Sequence, residues 1–373
     1  MPVFFLFFAS LFSLDQVLWL LSIYYVAVSV LEVPSGYFSD HWGRKITLVI
    51  SSLFFGGAFL LFAISDSFVI FTIAQIFVAG GYAFASGTDT SYHYEVLLSA
   101  NREDEYLERE VNAAKIGLWA GGLSAVIGGL LALLNYRIVY IASFIAILIL
   151  FLIILRMKEP IKYSKQVQLE FFSQVWQLMK KALNKNFCFL TLFVVFMTVL
   201  VHIPYEFYQP YLKLVKFWNF DNASYVPLIA GIHLALTKLI GVFFTQFIKK
   251  LRYSLNVKII LMLATIFQVA LIFLMAIFVH PFVVFLLLFR GVGKIMTTPI
   301  INAELSPQLI QDERSTFYSL QSLLGRLSHG VILAILPVFS GLVLIPLQGI
   351  LWGAALIGLV FLLVLLIIQK GYK

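Results

Sequence analysis

Apolar residues run through this chain in long blocks, and short polar segments separate them. A helix needs about 20 mostly apolar residues to cross a bilayer. By that measure the predicted spans are residues 17–37, 46–65, 67–98, 111–134, 136–156, 186–213, 223–248, 255–279, 281–305, 314–340 and 342–369, eleven in all. Residues 2–12 form a further apolar stretch about half a span long. Prolines 34, 204, 210, 227, 299 and 337 fall inside spans or at their ends, where membrane helices tolerate kinks. One hydrophilic stretch, Arg156 to Lys185, breaks the rhythm. Within it, Val167 to Ala182 repeats apolar residues at helical spacing. That pattern predicts an amphipathic helix on the membrane surface. The expected division is a first bundle over 1–156, a linker over 157–185 and a second bundle over 186–373.

Residues 2–12 read in two ways. No Lys or Arg precedes the apolar run and no small-x-small cleavage site follows it, which argues against a signal peptide. The other reading is the last part of a first helix, in a twelve-helix protein shortened at its N-terminus. Ser13-Leu14-Asp15-Gln16 then serves as the cap that starts the next helix.

Composition leaves lipid as the solvent. Hydrophobic residues make up 61% of the 373 positions and charged residues 12%, against about 25% charged in soluble domains. A single cysteine, Cys188, rules out a disulfide framework within one chain and a cysteine-based metal site. The net charge of +8 is spread over short loops, so it points to membrane orientation rather than nucleic acid. With residues 36–45 on the cytoplasmic side, that side carries eighteen Lys and Arg and the other side three. This is a positive-inside bias, and it places the C-terminus in the cytoplasm.

Between two early spans lies Gly36-Tyr37-Phe38-Ser39-Asp40-His41-Trp42-Gly43-Arg44-Lys45. Small residues suit a close helix crossing, and the charges stay in water. The spacing Gly-x-x-x-Asp-x-x-Gly-Arg-Lys resembles the signature loop between helices 2 and 3 of the major facilitator superfamily. Leu31-Glu32-Val33-Pro34-Ser35-Gly36, Ser86-Gly87-Thr88-Asp89-Thr90 with Tyr94-Glu95, and Glu313-Arg314-Ser315-Thr316 with Ser319 to Leu327 resemble a bacterial multidrug-efflux-like subgroup. Two departures weaken proton-driven export: Gln75 lies near the place of a fourth-helix Arg, and the fifth-helix Gly-Pro motif lacks its proline. A faint second copy of the signature, Gln246 to Arg252, lacks the Asp and the glycines.

The resemblance implies an all-α membrane protein of two six-helix bundles, here about eleven complete helices plus a partial first. It implies a latch made by Gly36, Asp40, Gly43, Arg44 and Lys45. Asp40 would approach the start of helix 11, and Arg44 would pair with Glu103, Asp104, Glu105 or Glu108.

Ionisable side chains inside spans are costly and usually face a cavity or a partner. Glu32, Asp89 and His93 are candidates for proton coupling. Asp89 and His93, four residues apart, share a helix face; they form either a proton-handling pair or a fixed structural one. Glu32 either carries protons or holds the packing near the gate. Tyr205, Glu206, Tyr208 and Gln209, with His202, form a polar and aromatic cluster. It reads as a cavity for amphipathic solutes or as an interfacial aromatic belt. Arg290, Lys294 and Arg326 would attract an anionic group or neutralise Glu304 and carboxylates of the first half. The pairs Gly80-Gly81, Gly121-Gly122 and Gly128-Gly129, with Gly117, allow close helix approach.

No phosphate-binding loop, hydrolase elbow or metal-spaced His pair occurs, so no enzyme activity, cofactor or metal is expected. The expected function is secondary active transport of a small, amphipathic organic solute by alternating access, as proton-coupled efflux across a bacterial inner membrane. The partners are the bilayer, the solute and protons, with the chain as a monomer. Alternatives are a metabolite uptake permease and a non-transporting receptor or scaffold.

Overall fold

A computed structural model describes residues 3–159, 171–215, 225–305, 308–309 and 311–371. Among them there is no strand. Eleven segments of the described residues are long and apolar enough to cross a membrane, in the order the hydropathy pattern predicts. The chain divides into two compact units, Met1–Gln166 and Val167–Lys373. The division falls within the hydrophilic stretch expected to be a linker.

In the first unit, α1 (Phe4–Leu11) is a short helix whose Phe5, Leu6, Phe7 and Phe8 are buried. Phe7 and Phe8 pack against Phe71, and Phe7 also meets Tyr140. α2 (Leu14–Trp42) starts with a capping box. Gln16 N–H donates to Ser13 Oγ, and Ser13 N–H donates back to Gln16 Oε1 at 3.1 Å. Each bond satisfies a donor that the first turn leaves free.

α3 (Arg44–Ile64), α4 (Phe68–Ala85) and α7 (Tyr136–Arg156) pack closely, with α2 lying on α4. The α3–α4 crossing needs glycine. A Cβ on Gly81 would sit 2.7 Å from the Phe55 ring, and one on Gly80 would sit 3.1 Å from Phe54. Ser51 Oγ donates to the Gly81 carbonyl at 2.7 Å across the same contact. By contrast, Gly117, Gly121 and Gly122 on α6 (Tyr106–Leu134) meet nothing within 4 Å among the described residues. The expected close approach at these three positions is therefore not made within the unit.

Two predicted spans are broken helices. The span over Phe68–Ser99 stops at Ala85 and restarts as α5 (Thr88–Ser99). Gly87 between them has φ +75°, which only glycine adopts at no steric cost. The span over Pro281–Leu305 divides into α13 (Pro281–Leu287) and α14 (Val292–Leu305). Leu288, Phe289 and Arg290 between them make tight i→i−3 bonds.

In the second unit, α8 (Phe171–Ala182) is an amphipathic helix within the expected range, of which residues 167–170 lie outside the described residues. Trp176 on it is exposed, while Leu178 and Ala182 are buried in a core with Phe187, Phe193, Leu261 and Phe317. α8 thus packs as part of the second unit rather than as a free tie. α9 (Lys185–Leu214) packs on α15 (Gln311–Ile335), and α12 (Val257–Ile277) on α16 (Pro346–Ile368). The remaining helices are α10 (Val226–Thr245) and α11 (Ile248–Ser254).

The glycine contrast is testable. Gly81→Ala forces the Phe55 ring to move, at about 1–3 kcal/mol for overpacking, and lowers the apparent Tm in detergent by several degrees. Gly121→Ala leaves the Tm within a degree of the parent.

Candidate functional site

Residues 36–45 are not a loop. α2 continues to Trp42, and α3 begins at Arg44. The whole turn is one residue, Gly43, at φ +107° and ψ 156°. Its N–H closes α2 on Ser39 O at 3.2 Å, and its carbonyl receives Thr47 Oγ1 at 2.7 Å. A Cβ there would lie 2.6 Å from Glu159 Oε1. Gly43 is thus required twice, by its dihedral and by the carboxylate beside it.

Glu159 explains that crowding. Its two carboxylate oxygens accept from Arg44 N at 2.6 Å and Lys45 N at 2.9 Å. These are the first backbone donors of α3, at the positive end of the helix dipole, where a carboxylate is favoured. Lys45 Nζ donates to Leu155 O at 2.8 Å, and Tyr92 Oη donates to Lys158 O at 2.8 Å. The chain leaving α7 is therefore held by both α3 and α5.

Among the described residues the Arg44 guanidinium pairs with Glu95, an acid outside the expected set. Its Nε and Nη2 both donate to Glu95 Oε1 at 3.0 Å, and Nη1 donates to Ser39 Oγ at 2.8 Å. Thr88 Oγ1 donates on to Ser39 Oγ at 3.1 Å. Glu105 is taken by Arg102 and Arg109 instead, at 2.6 and 2.8 Å. Their hydrogen bonds, Arg102's first, hold the Glu105 carboxyl below the usual range. The side chains of Asp40 and Glu103, and those of residues 311–316, lie outside the described residues. Gly36 sits in α2 with open space around it.

The pair recurs in the second unit. Arg252, at the end of α11, donates to Glu304 on α14 at 2.6 Å. The sequence separation is 51 residues for Arg44 and Glu95, and 52 for Arg252 and Glu304. This spacing was readable in the chain. It was missed because the faint second signature lacks the glycines that mark the first. Glu159 left a different trace, one of only two acids in the basic stretch Arg156 to Lys185.

Of the coupling candidates, Glu32 is half-buried on α2, one turn before Ser35. Ser35 Oγ donates to Ala83 O at 2.8 Å and to Glu32 O at 2.9 Å. Asp89 is exposed in the first turn of α5 and accepts from Thr90 N at 2.8 Å. The His93 ring lies 5.6 Å from the Tyr106 ring.

Most of the cluster on α9 is buried. Tyr208, Gln209 and Tyr211 are at most 1% exposed and Glu206 is 2% exposed. The Tyr205 ring sits 6.3 Å from His202. The buried Arg290 guanidinium lies 4.4 Å over the Tyr208 ring. Its Nη1 donates to His233 Nδ1 at 3.0 Å, Thr237 Oγ1 at 3.0 Å and Leu287 O at 2.9 Å. As an acceptor at Nδ1, His233 carries its proton on Nε2, which donates to Val284 O at 3.0 Å. Arg290 Nη2 is buried without a hydrogen-bond partner among the described residues. Arg326 is half-buried on α15, within electrostatic reach of Lys294 and His202. Glu304, once a possible counter-ion for these cations, is committed to Arg252.

Comparison with known proteins decides the family. The model of the Major Facilitator Superfamily matches residues 1–93 and 111–332. The chain belongs to the Major Facilitator Superfamily. It is a multi-pass membrane transporter, not an enzyme. Similar solved structures include nucleoside transporter NupG, at TM-score 0.75 and 15% identity over 98% of this chain and 93% of that one. A D-xylose-proton symporter gives TM-score 0.69 and 16% identity over 96% and 88%. A POT family transporter in complex with 5-aminolevulinic acid gives TM-score 0.72 and 9% identity over 97% and 89%. These likenesses bear on the fold. No curated protein sequence matches the chain.

The Gly43–Glu159 contact predicts a non-additive pair. Gly43→Ala and Glu159→Ala each lower the apparent Tm, the second by an amount near the ~1 kcal/mol of a lost helix cap. In the Glu159→Ala background, Gly43→Ala costs less, because only the backbone strain remains.

Proposed function

We propose that this facilitator moves a small, amphipathic organic solute out of the cell in exchange for protons, by alternating access. The observation that carries the transport reading is a pair of broken membrane helices, α4–α5 and α13–α14, each ending near one member of a repeated Arg–Glu pair. Interrupted helices mark transporter binding sites, because irregular backbone in a membrane is tolerated where it lines a cavity. The cluster of Tyr205, Glu206, Tyr208 and Gln209 supplies the mixed polar and aromatic wall that an amphipathic solute needs.

The proton carrier we assign is Glu32. Among the candidate carboxylates of the first unit's spans, Glu95 is held by Arg44 at 3.0 Å. Asp89 is exposed at a helix start, which leaves Glu32 as the half-buried acid. Asp40, Arg44 and Lys45 act as the conformational latch, with Arg44 and Glu159 bracing the α2–α3 turn. The positive-inside count supports a cytoplasmic position for residues 36–45 and the C-terminus, in an inner membrane. The chain works as a monomer.

Reconstituted vesicles with an imposed proton gradient test this reading. Flux of a small amphipathic dye out of the compartment facing residues 36–45, driven by protons entering it, is the expected result. Glu32→Gln removes the gradient dependence and leaves the fold and facilitated exchange intact. Gradient-driven movement in the opposite direction would make the chain an uptake permease. Arg44→Lys cuts flux about tenfold or more, because a lysine cannot reach Glu95 and Ser39 together.

A further inference from the structure

The helices of the second unit do not close on one another everywhere. Phe244 of α10, Leu251 of α11, Ile260 and Phe267 of α12, Phe289 in the α13–α14 break and Met296 of α14 line a groove of about 280 Å³. That is far larger than the water-sized voids of a packed interior. From Ile260 to Phe267 the groove follows α12 for about 10 Å, at 1.5 Å of rise per residue. Its wall is apolar. Thr297 is the polar residue of the lining, and its Oγ1 donates to Gly293 O at 2.8 Å. The groove is reached from outside the unit, since Leu263 and Phe267 in its lining are 53% and 38% exposed.

The first unit carries a ring at the matching place. Phe84 stands eleven residues before Glu95, and its ring lies 5.6 Å from those of Phe38 and Phe54. Eleven residues before Glu304 the chain has Gly293, which lines the groove without a side chain. A Cβ there would come no closer than 3.6 Å to its neighbours, so the space is open rather than crowded. One end of the groove is basic. Leu251, in the lining, sits between Lys250 and Arg252 on α11. From Gln246 to Lys258 the chain has four Lys and Arg and no acid. Arg252 is paired with Glu304, while Lys250, next to the lining, is exposed. The α2–α3 turn of the first unit differs, because the Glu159 carboxylate sits on it.

We infer that this groove seats one acyl chain of an anionic phospholipid, with the lipid phosphate against Lys250 on the basic turn of α11. The inference rests on the membrane-spanning fold, not on the solute or the direction of its movement. Any lipid chain satisfies the apolar wall. The basic turn at the groove's end selects an acidic headgroup, since Lys and Arg near a membrane surface attract anionic lipids over about a Debye length. A polar solute fits poorly, because the hydroxyl in the lining is already bonded. The seated chain lies against Phe289, Val292 and Gly293, so the lipid braces the break between α13 and α14.

The test uses the full chain in phosphatidylcholine vesicles. A minor share of the lipid is brominated in its acyl chains, either as phosphatidylglycerol or as phosphatidylcholine, so that bromine quenches a nearby tryptophan. Leu263→Trp supplies the reporter, read as the difference from the parent. Val360→Trp, exposed on α16, supplies the control. At Leu263→Trp the anionic lipid quenches at about one-fifth of the concentration that the zwitterionic lipid needs. At Val360→Trp the two quench alike. Lys250→Glu abolishes the preference, and added potassium chloride weakens it. Gly293→Leu and Ala264→Leu each fill the groove and bring the two lipids to equal quenching; either variant serves where the other does not fold. Equal quenching at Leu263→Trp, the same preference at Val360→Trp, or a preference untouched by Lys250→Glu or by the filling variants would overturn the site. So would a dimer in sedimentation whose Leu263→Trp is shielded from both lipids, which would make the groove an interface between copies. Solute flux is a separate readout. Vesicles that show the lipid preference but move no solute count against the transport reading alone, and flux without the lipid preference counts against this site alone.

Discussion

A charge taken into lipid must find its counter-charge or a polar wall, and most of the chemistry of this chain follows from that demand. Water does not solvate Arg44 fully at the α2–α3 turn, so Glu95 and Ser39 do. The first donors of α3 would otherwise be free, so the Glu159 carboxylate takes them. Arg252 and Glu304 repeat the first arrangement in the second unit. Arg290 illustrates a softer answer. It spreads its charge over the Tyr208 face, a neutral histidine, a threonine hydroxyl and a carbonyl. Such a shell lowers the cost of burial without cancelling the charge.

Rigid and interrupted elements are distributed accordingly. Where the first unit is packed tightly, at α3 and α4, glycines meet aromatic rings and a serine bridges to a carbonyl. Where helices break, at Gly87 and at residues 288–291, the chain presents polar and charged side chains. Thr88 joins the Arg44 network just after the first break, and Arg290 lies within the second. An unbroken helix would leave neither backbone segment free to turn. The near-equal separations of the two Arg–Glu pairs, 51 and 52 residues, fit a chain built from two related halves, each stabilising the same junction by the same means.

The parts of the fold that could be read ahead of the structure are those set by local chemistry. Eleven spans were legible because lipid accepts only long apolar helices, so each writes itself as an unbroken run. The Ser13–Gln16 cap was legible because its partners are three residues apart. The helix Phe171–Ala182 was legible from its one-sided pattern. Breaks inside apolar runs were hidden, since hydropathy is blind to φ. The decapeptide misled for the opposite reason. Its polar residues suggested a loop, yet helix continues through them to Trp42 and only Gly43 turns the chain.

By itself, then, the amino-acid order determined the membrane class, the count and sequence of spans, and the family signature around Gly43. These depend on residues within one helical turn or one span of each other. Tertiary structure alone decided which acid serves which base. Glu95 rather than Glu105 holds Arg44, Glu159 caps a helix more than a hundred residues away in the chain, and Glu304 serves Arg252 and so is withheld from Arg290. Coulomb attraction and hydrogen bonding fall off over a few ångströms of space. Distance in space is what packing sets, and the linear chain does not record it.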